Sequence, residues 1–376
     1  MHSPHTPIAH KVSGTQPHDT TDWSIELLRG GAALLVVLAH YRDMLGLEYW
    51  AVNFTFTGVD LFFVLSGFVF APYLHGRRLD PIPFYIRRFF RLYPLYIVAV
   101  LLYAALHLHQ NSGNAGHTLT LILKHALFLH TTQDIATAFS LNPAFWSLPP
   151  EVEFYLVLPL LCLLGGHPGR ALSIAACALI LHLALAAASF STAQPAATHT
   201  TTLPALLLVH LPGLLVEFML GTLAWQLNRR LRTDAQRLAL ILGGFLAWLA
   251  LAALFHHHHD QAPHLQALLH GNVGLLAALT FLPMVAGLAG AGDRFQPVLR
   301  AFGRNLGRLS YGTYLFHNAT PRLLDRMLDI PSRPMLALCA LLLTLLLAHI
   351  LNLLVEEPAR NRGRRLAARR ARPSSP

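Results

Sequence analysis

Charge is what this sequence has least of. Only 12% of its 376 residues are Asp, Glu, Lys or Arg, while 54% are hydrophobic. A soluble domain carries about twice that charge, so a water-soluble globule is excluded. Cysteine is scarce too. Cys162, Cys177 and Cys339 all lie in apolar runs, and an odd number so placed excludes a disulfide framework and leaves them packing roles. Residues 1–22 are polar, rich in His, Thr and Pro, and lack the apolar core of a cleavable leader. They read as a disordered segment, and the first apolar run then serves as an uncleaved insertion signal. No soluble domain is evident between the runs.

What the chain does have is apolar runs of membrane-spanning length, such as Leu238–Phe255 and Met335–Val355. The expected fold is all-α, a polytopic transmembrane helix bundle of about ten spans. Their approximate limits are 25–45, 58–75, 92–109, 152–166, 171–190, 203–225, 238–255, 267–290, 308–326 and 335–355. With the N-terminus inside, cytoplasmic segments hold 23 of the 28 Lys and Arg residues. That asymmetry orients the chain with both termini cytoplasmic. It also absorbs the net charge of +10, leaving no basic surface for nucleic acid. The expected organisation is a 23–358 membrane domain between the 1–22 segment and a basic cytoplasmic tail, 359–376.

Thr118–His130 is too short to span and reads as a re-entrant or interfacial helix. The 308–326 span includes Pro321, Arg322 and Asp325, so neighbours must shield it or it must line a cavity. His256–His259 falls in an outside loop and reads as a solvated run rather than a metal site. There is no obvious internal repeat of the kind many transporters show.

Ionisable residues inside the spans mark candidate chemistry. Arg29 and His40 are eleven residues apart, about three turns, so they share a helix face roughly 16 Å apart. Asp43 and Asp60 lie near the same outer depth, and a carboxylate beside a histidine makes a general base; interior hydrogen bonding is the plain alternative. At the inner side, Phe84–Tyr96 carries Arg87, Arg88 and Arg91 among aromatics. Arg88 and Arg91 project together and suit phosphate oxygens, although positive-inside anchoring also accounts for basic residues there. Trp146–Leu161 brings Glu151 and Glu153 to a helix start after two prolines, where acids also favour the helix dipole. His210 with Glu217, and Ser310 with Tyr314 and His317, share helix faces, and interior polar glue accounts for them equally well.

Taken in order, these stretches resemble acyltransferase family 3, integral membrane enzymes that move acyl groups, often acetyl, onto bacterial carbohydrates and some small molecules. The family's Arg–ten residues–His pattern matches Arg29 and His40, and Gly58–Phe68 matches almost letter for letter. Its Arg-x-x-Arg falls on Arg88 and Arg91. Trp146, Ser147, Leu148, Glu151, Phe154, Tyr155 and Pro159 meet another block, with Pro149–Pro150 as a departure. Glu217–Gly221, Leu309–His317 and Val355–Asn361 follow in family order, with Asn318 where a tryptophan is common.

The resemblance covers about residues 23–365 and implies a multi-pass bacterial inner-membrane enzyme. It implies acyl-CoA, acetyl-CoA above all, as a cytoplasmic co-substrate, with no permanently bound cofactor and no metal. The acceptor is a hydroxyl of a cell-surface or exported carbohydrate or glycolipid, at a site bordered by membrane lipid. In the roles so implied, His40, Glu151 and Asp60 are catalytic, and Arg29, Arg88 and Arg91 hold the donor. Trp146, Tyr155, Glu217 and His317 meet the acceptor. Many relatives add a C-terminal esterase-like domain, and this chain reads as the stand-alone form. The competing reading is a proton-coupled transporter or flippase for a carbohydrate or lipid-linked intermediate, with His40 and the acids as a relay. The motifs specify no oligomeric state.

Overall fold

A computed structural model describes residues 22–47, 49–110, 115–132, 135–191, 202–258, 263–290, 297–328 and 330–371. Among them there is no strand, and nine helices are long and apolar enough to cross a membrane. The all-α polytopic bundle is therefore the fold found. The expected disordered segment, apart from Asp22, lies outside the described residues.

Local sequence signals set the first helix. Asp22 caps α1 (Trp23–Leu45) by accepting from Ser24 N at 3.1 Å, and Gly46 ends it in the left-handed region at φ 63°. The chain then folds back through two short turns, 50–53 and 54–57, into α2 (Gly58–Leu74). Phe54, fully buried against Trp248 and Phe255, draws this connection into the bundle. As a result α2 starts beside the middle of α1: a Cβ on Gly58 would lie 2.6 Å from Ala32 O.

The remaining elements are α3 (Pro81–Gln110), α4 (Ala115–Ala126), α5 (Leu148–Leu164) and α6 (Pro168–Ser191). After them come α7 (Leu211–Asn228), α8 (Asp234–His258), α9 (Pro263–Leu288) and α10 (Pro297–Phe316). The chain closes with α11 (Ala319–Met327), α12 (Arg333–Leu351) and α13 (Glu357–Ala371). Lipid tails are as apolar as leucine, so close packing rather than water exclusion must hold such helices together. Where α2 crosses α7, a Cβ on Gly67 would sit 1.7 Å from Phe218 O, and one on Gly221 1.9 Å from Val64 O. Only glycine permits that approach.

Helices α1 and α10 run parallel. Gly303 faces Trp23 and Leu27, Gly307 faces Glu26, and Tyr41 OH donates to His317 O at 2.6 Å. One end of the bundle collects most of the arginines and is tied together by end-to-end bonds. Gly290 N donates to Asp22 Oδ2 at 2.8 Å, Arg237 Nη1 to Ala289 O at 2.8 Å, and Asn228 Nδ2 to Ala289 O at 2.7 Å. We call this the basic end.

Several expected boundaries move. The ninth span begins at Pro297 rather than 308 and stops at Phe316, because Arg300, Arg304 and Arg308 sit on the helix itself rather than in a loop. The expected shielding holds, since Gly312–His317 are all buried between α1 and α12. The basic tail is helical as far as Ala371: α12 passes through a π-helical turn at Asn352–Glu356 into α13, whose Gly363 packs on Phe90. Helix α4 is the short non-spanning helix expected at 118–130, with Leu119 and Leu123 exposed along it and Leu127 just beyond, as suits an interface. His256 and His257 extend the last turn of α8, and His259 lies outside the described residues. All three cysteines are free, and Cys177 is exposed.

Candidate active site

The ionisable residues sort into three groups. The first lines a central cavity of about 90 Å³ between α1, α2, α3, α5 and α10. Arg29, Arg88, Arg91, Glu151 and Tyr155 all meet there. Arg88 lies over three rings, 5.1 Å from the centroid of Phe70, 5.7 Å from Tyr155 and 5.8 Å from Phe84, which holds the guanidinium without neutralising it. Its Nε is buried and has no acceptor. Arg29 donates to Glu26 Oε1 at 2.6 Å. Glu151 Oε1 accepts from Ser66 Oγ at 2.8 Å and from the Tyr155 hydroxyl. Arginines around one fixed carboxylate form a site for an anionic or strongly polarised ligand.

The second group lines a cavity of about 440 Å³ that shares Val59 with the first. Asp60 and Glu217 face each other across Gly274, where an added Cβ would lie 2.7 Å from Asp60 Oδ1 and 2.6 Å from Glu217 Oε1. Glu217 is fully buried, with Asp60 as its polar neighbour. Trp146 and Phe56 are on the wall. Two buried carboxylates beside an aromatic face can accept hydrogen bonds from a hydroxyl-bearing ligand.

The third group is a histidine pair. His317 Nδ1 donates to Tyr314 O at 2.8 Å, which leaves its Nε2 as an acceptor. His40 Nδ1 lies 3.3 Å from that nitrogen and 2.9 Å from Val36 O. Both neighbours are acceptors, so these partners assign the proton of His40 to Nδ1 and a lone pair to Nε2. His40 is exposed while His317 is fully buried behind it.

This arrangement corrects several expectations. Neither Asp60 nor Asp43 orients His40. Asp60 lies deeper because α2 starts mid-way along α1, and it faces Glu217; Asp43 is exposed beside Arg42 Nε at 3.3 Å. Glu151 lies among the arginines, and Tyr155, expected at the acceptor, goes with it. His210 does not pair with Glu217, because it precedes α7 and binds Glu153 at 2.6 Å. Glu153 Oε2 also accepts from Leu211 N at 2.8 Å, which caps α7. On α10, Ser310 and Tyr314 line the central cavity, and His317 turns to His40.

Sequence reasoning missed Ser66, Glu26, Gly274 and His182. His182, on the wall of the larger cavity, bonds Gly213 O at 2.8 Å and Asn272 Oδ1 at 3.1 Å. The signal for it was a lone histidine within the apolar run of α6.

A multi-pass membrane bundle with an arginine-walled interior cavity and a separate acid-walled one is the class these features define. The family model described as an acyltransferase domain matches residues 22–353. The chain belongs to that family, acyltransferase family 3. It is 42% identical over 83 residues to Protein 2 in picA locus of Rhizobium radiobacter, covering 21% of this chain and 41% of that protein. It is 31% identical over 154 residues to the putative peptidoglycan O-acetyltransferase YrhL of Bacillus subtilis (strain 168), covering 37% of this chain and 23% of that protein. The matches thus span less than half the length of either relative. No solved structure matches.

Proposed function

We propose that this protein transfers an acyl group, acetyl in the first instance, from acyl-CoA to a hydroxyl of a cell-surface or exported carbohydrate. The basic end faces the cytoplasm of a bacterial inner membrane, as the positive-inside rule requires. The observation that carries this reading is the central cavity, where three arginines and Glu151 meet away from bulk water. Arg29, Arg88 and Arg91 bind donor phosphate, and Glu151 with Tyr155 fixes the site between them. The larger cavity takes the acceptor, with Trp146 against a sugar face and Glu217 and Asp60 accepting its hydroxyls.

A sugar hydroxyl is a poor nucleophile at neutral pH, so a base must take its proton as the oxygen attacks the thioester carbonyl. His40 is that base, through Nε2, with His317 holding its Nδ1 proton. The acyl–sulfur bond breaks as the ester forms, and the thiolate of coenzyme A leaves. A second reading gives the base role to Asp60 and Glu217, because they face each other in the larger cavity. The YrhL name supports a carbohydrate acceptor. The experiment is radiolabelled acetyl transfer by purified protein, with acetyl-CoA and a carbohydrate acceptor. Label in the acceptor supports the enzyme; uptake or flipping of an unmodified glycolipid into vesicles, without label transfer, supports the transporter alternative instead.

A further inference from the structure

Beside the central cavity, at the basic end, lies a third cavity of about 290 Å³ that none of the chemistry above uses. The two share Arg91, Ser310 and Tyr311 as common walls. Arg304 and Arg308 line it from α10. They are four residues apart on one helix face, and neither makes an ion pair among the described residues. Three acids share the lining: Glu26 holds Arg29 at 2.6 Å, Glu356 meets Arg360 at 3.7 Å, and Glu357 opens α13.

The floor carries an independent sign of a ligand. Asn352 is 1% exposed, lines the cavity, and has no partner for either its amide nitrogen or its amide oxygen. It opens the π-helical turn of residues 352–356, a distortion that recurs at functional sites. A buried carboxamide with both atoms unsatisfied is costly unless something completes it. The edge of adenine does so, because its N6 donates and its N7 accepts, a pattern that one carboxamide matches in two bonds. Free guanidinium groups above it suit phosphate oxygens.

We propose that this cavity binds the adenosine 3′,5′-bisphosphate end of the donor, with Asn352 on the adenine edge and Arg304 and Arg308 on phosphate. Arg91, in the shared wall, marks where the donor's arm passes into the central cavity. This rests on acyl-CoA being the donor and adds where its nucleotide is read. It also gives a reason for the arginines of α10, which set that helix apart from an ordinary span.

The test uses the full-length protein in detergent and adenosine 3′,5′-bisphosphate, which lacks both arm and thioester. The wild type should bind it and lose it to coenzyme A. Arg304→Ala with Arg308→Ala should weaken both ligands at least tenfold, raise KM for acetyl-CoA, leave kcat within a few-fold, and erase any preference over 3′-dephospho-coenzyme A. The Lys–Lys variant keeps the charge and should retain part of the affinity, which separates ligand binding from misfolding. Asn352→Leu should weaken the bisphosphate while sparing phosphopantetheine. Folded Ala–Ala protein with unchanged KM and unchanged bisphosphate affinity overturns the assignment and leaves the donor reading intact. Arginine-dependent bisphosphate binding without any transfer from acetyl-CoA supports the nucleotide site and defeats the donor reading.

Discussion

His317 stands behind His40, with its Nε2 3.3 Å from the Nδ1 of His40, and no carboxylate occupies that place. In the proposed mechanism the buried ring takes the part that an acid often plays beside a catalytic histidine: it holds one nitrogen of the outer ring and leaves the lone pair of the other free. His317 touches His40 rather than the reacting atoms, so it is a positioning residue. Replacing it with leucine should lower turnover, up to about a hundredfold, since misplacing a reacting group costs on that order. KM for the donor should hold. His317→Asn, which can still accept from His40, should recover part of the rate, and a purely packing role would not show that rescue.

Donor capture should depend on Arg88 and Arg91 through charge and shape together. Alanine at either should cost about 2–3 kcal/mol, or roughly 30-fold to 150-fold in donor affinity. Lysine should rescue only in part, since it lacks the planar fork and, at position 88, stacks less well on Phe70, Phe84 and Tyr155. Equilibrium binding of radiolabelled coenzyme A to folded variants checks this. Wild-type affinity in both alanine variants would remove the arginines from the donor site.

Glu151 and Glu153 differ by two positions and should differ in kind. Glu151 accepts from Ser66 and Tyr155 inside the central cavity, so Glu151→Gln should impair transfer severely while the protein still folds. Glu153 caps α7 and holds His210. Its glutamine variant should lose about 1–2 kcal/mol of stability, seen as a lower melting temperature, with turnover per folded molecule near normal. The opposite ranking would mean the wrong glutamate faces the chemistry.

The connection after α4 should make the protein acid-sensitive. His125 and His130 stack with centroids 4.1 Å apart at 8°, both fully buried. Burial, with each other's charge behind it for His125, pushes that ring down to about 3; burial pushes His130 down to about 4. In the unfolded chain both titrate near 6.5. The unfolded state therefore binds more protons below that value, so the contribution is complete above about pH 6.5 and is lost as pH falls toward 4 and 3. At pH 5 each ring should cost roughly 2 kcal/mol relative to neutral pH. Melting curves of purified protein at pH 7.5, 6 and 5 measure this slope. Replacing both rings with phenylalanine should flatten it; an unchanged slope would place the acid sensitivity elsewhere.

Much of this was legible in the sequence. Low charge and long apolar runs disclose a membrane bundle, and ordered motifs pick out Arg88, Arg91, Glu151, His40 and His317. Depth was not legible. A linear reading places Asp60 level with His40, but the burial of Phe54 pulls the second span inward and hands Asp60 to Glu217. Hydropathy likewise cannot see that α10 begins at Pro297, because its arginines read as loop charges until a helix and a cavity are found around them. Glu153 reads as the redundant member of a pair until Leu211 N is seen to need it.

The most direct test of the catalytic proposal is turnover of purified His40→Asn, normalised to folded protein, with donor binding measured on the same sample. Asparagine keeps polarity but cannot take a proton at neutral pH. Since a positioned base supplies about 10²–10⁴-fold, turnover should fall by that order while coenzyme A affinity stays at the wild-type value. Turnover within a few-fold of wild type would contradict His40 as the base and pass the proton to Asp60 and Glu217.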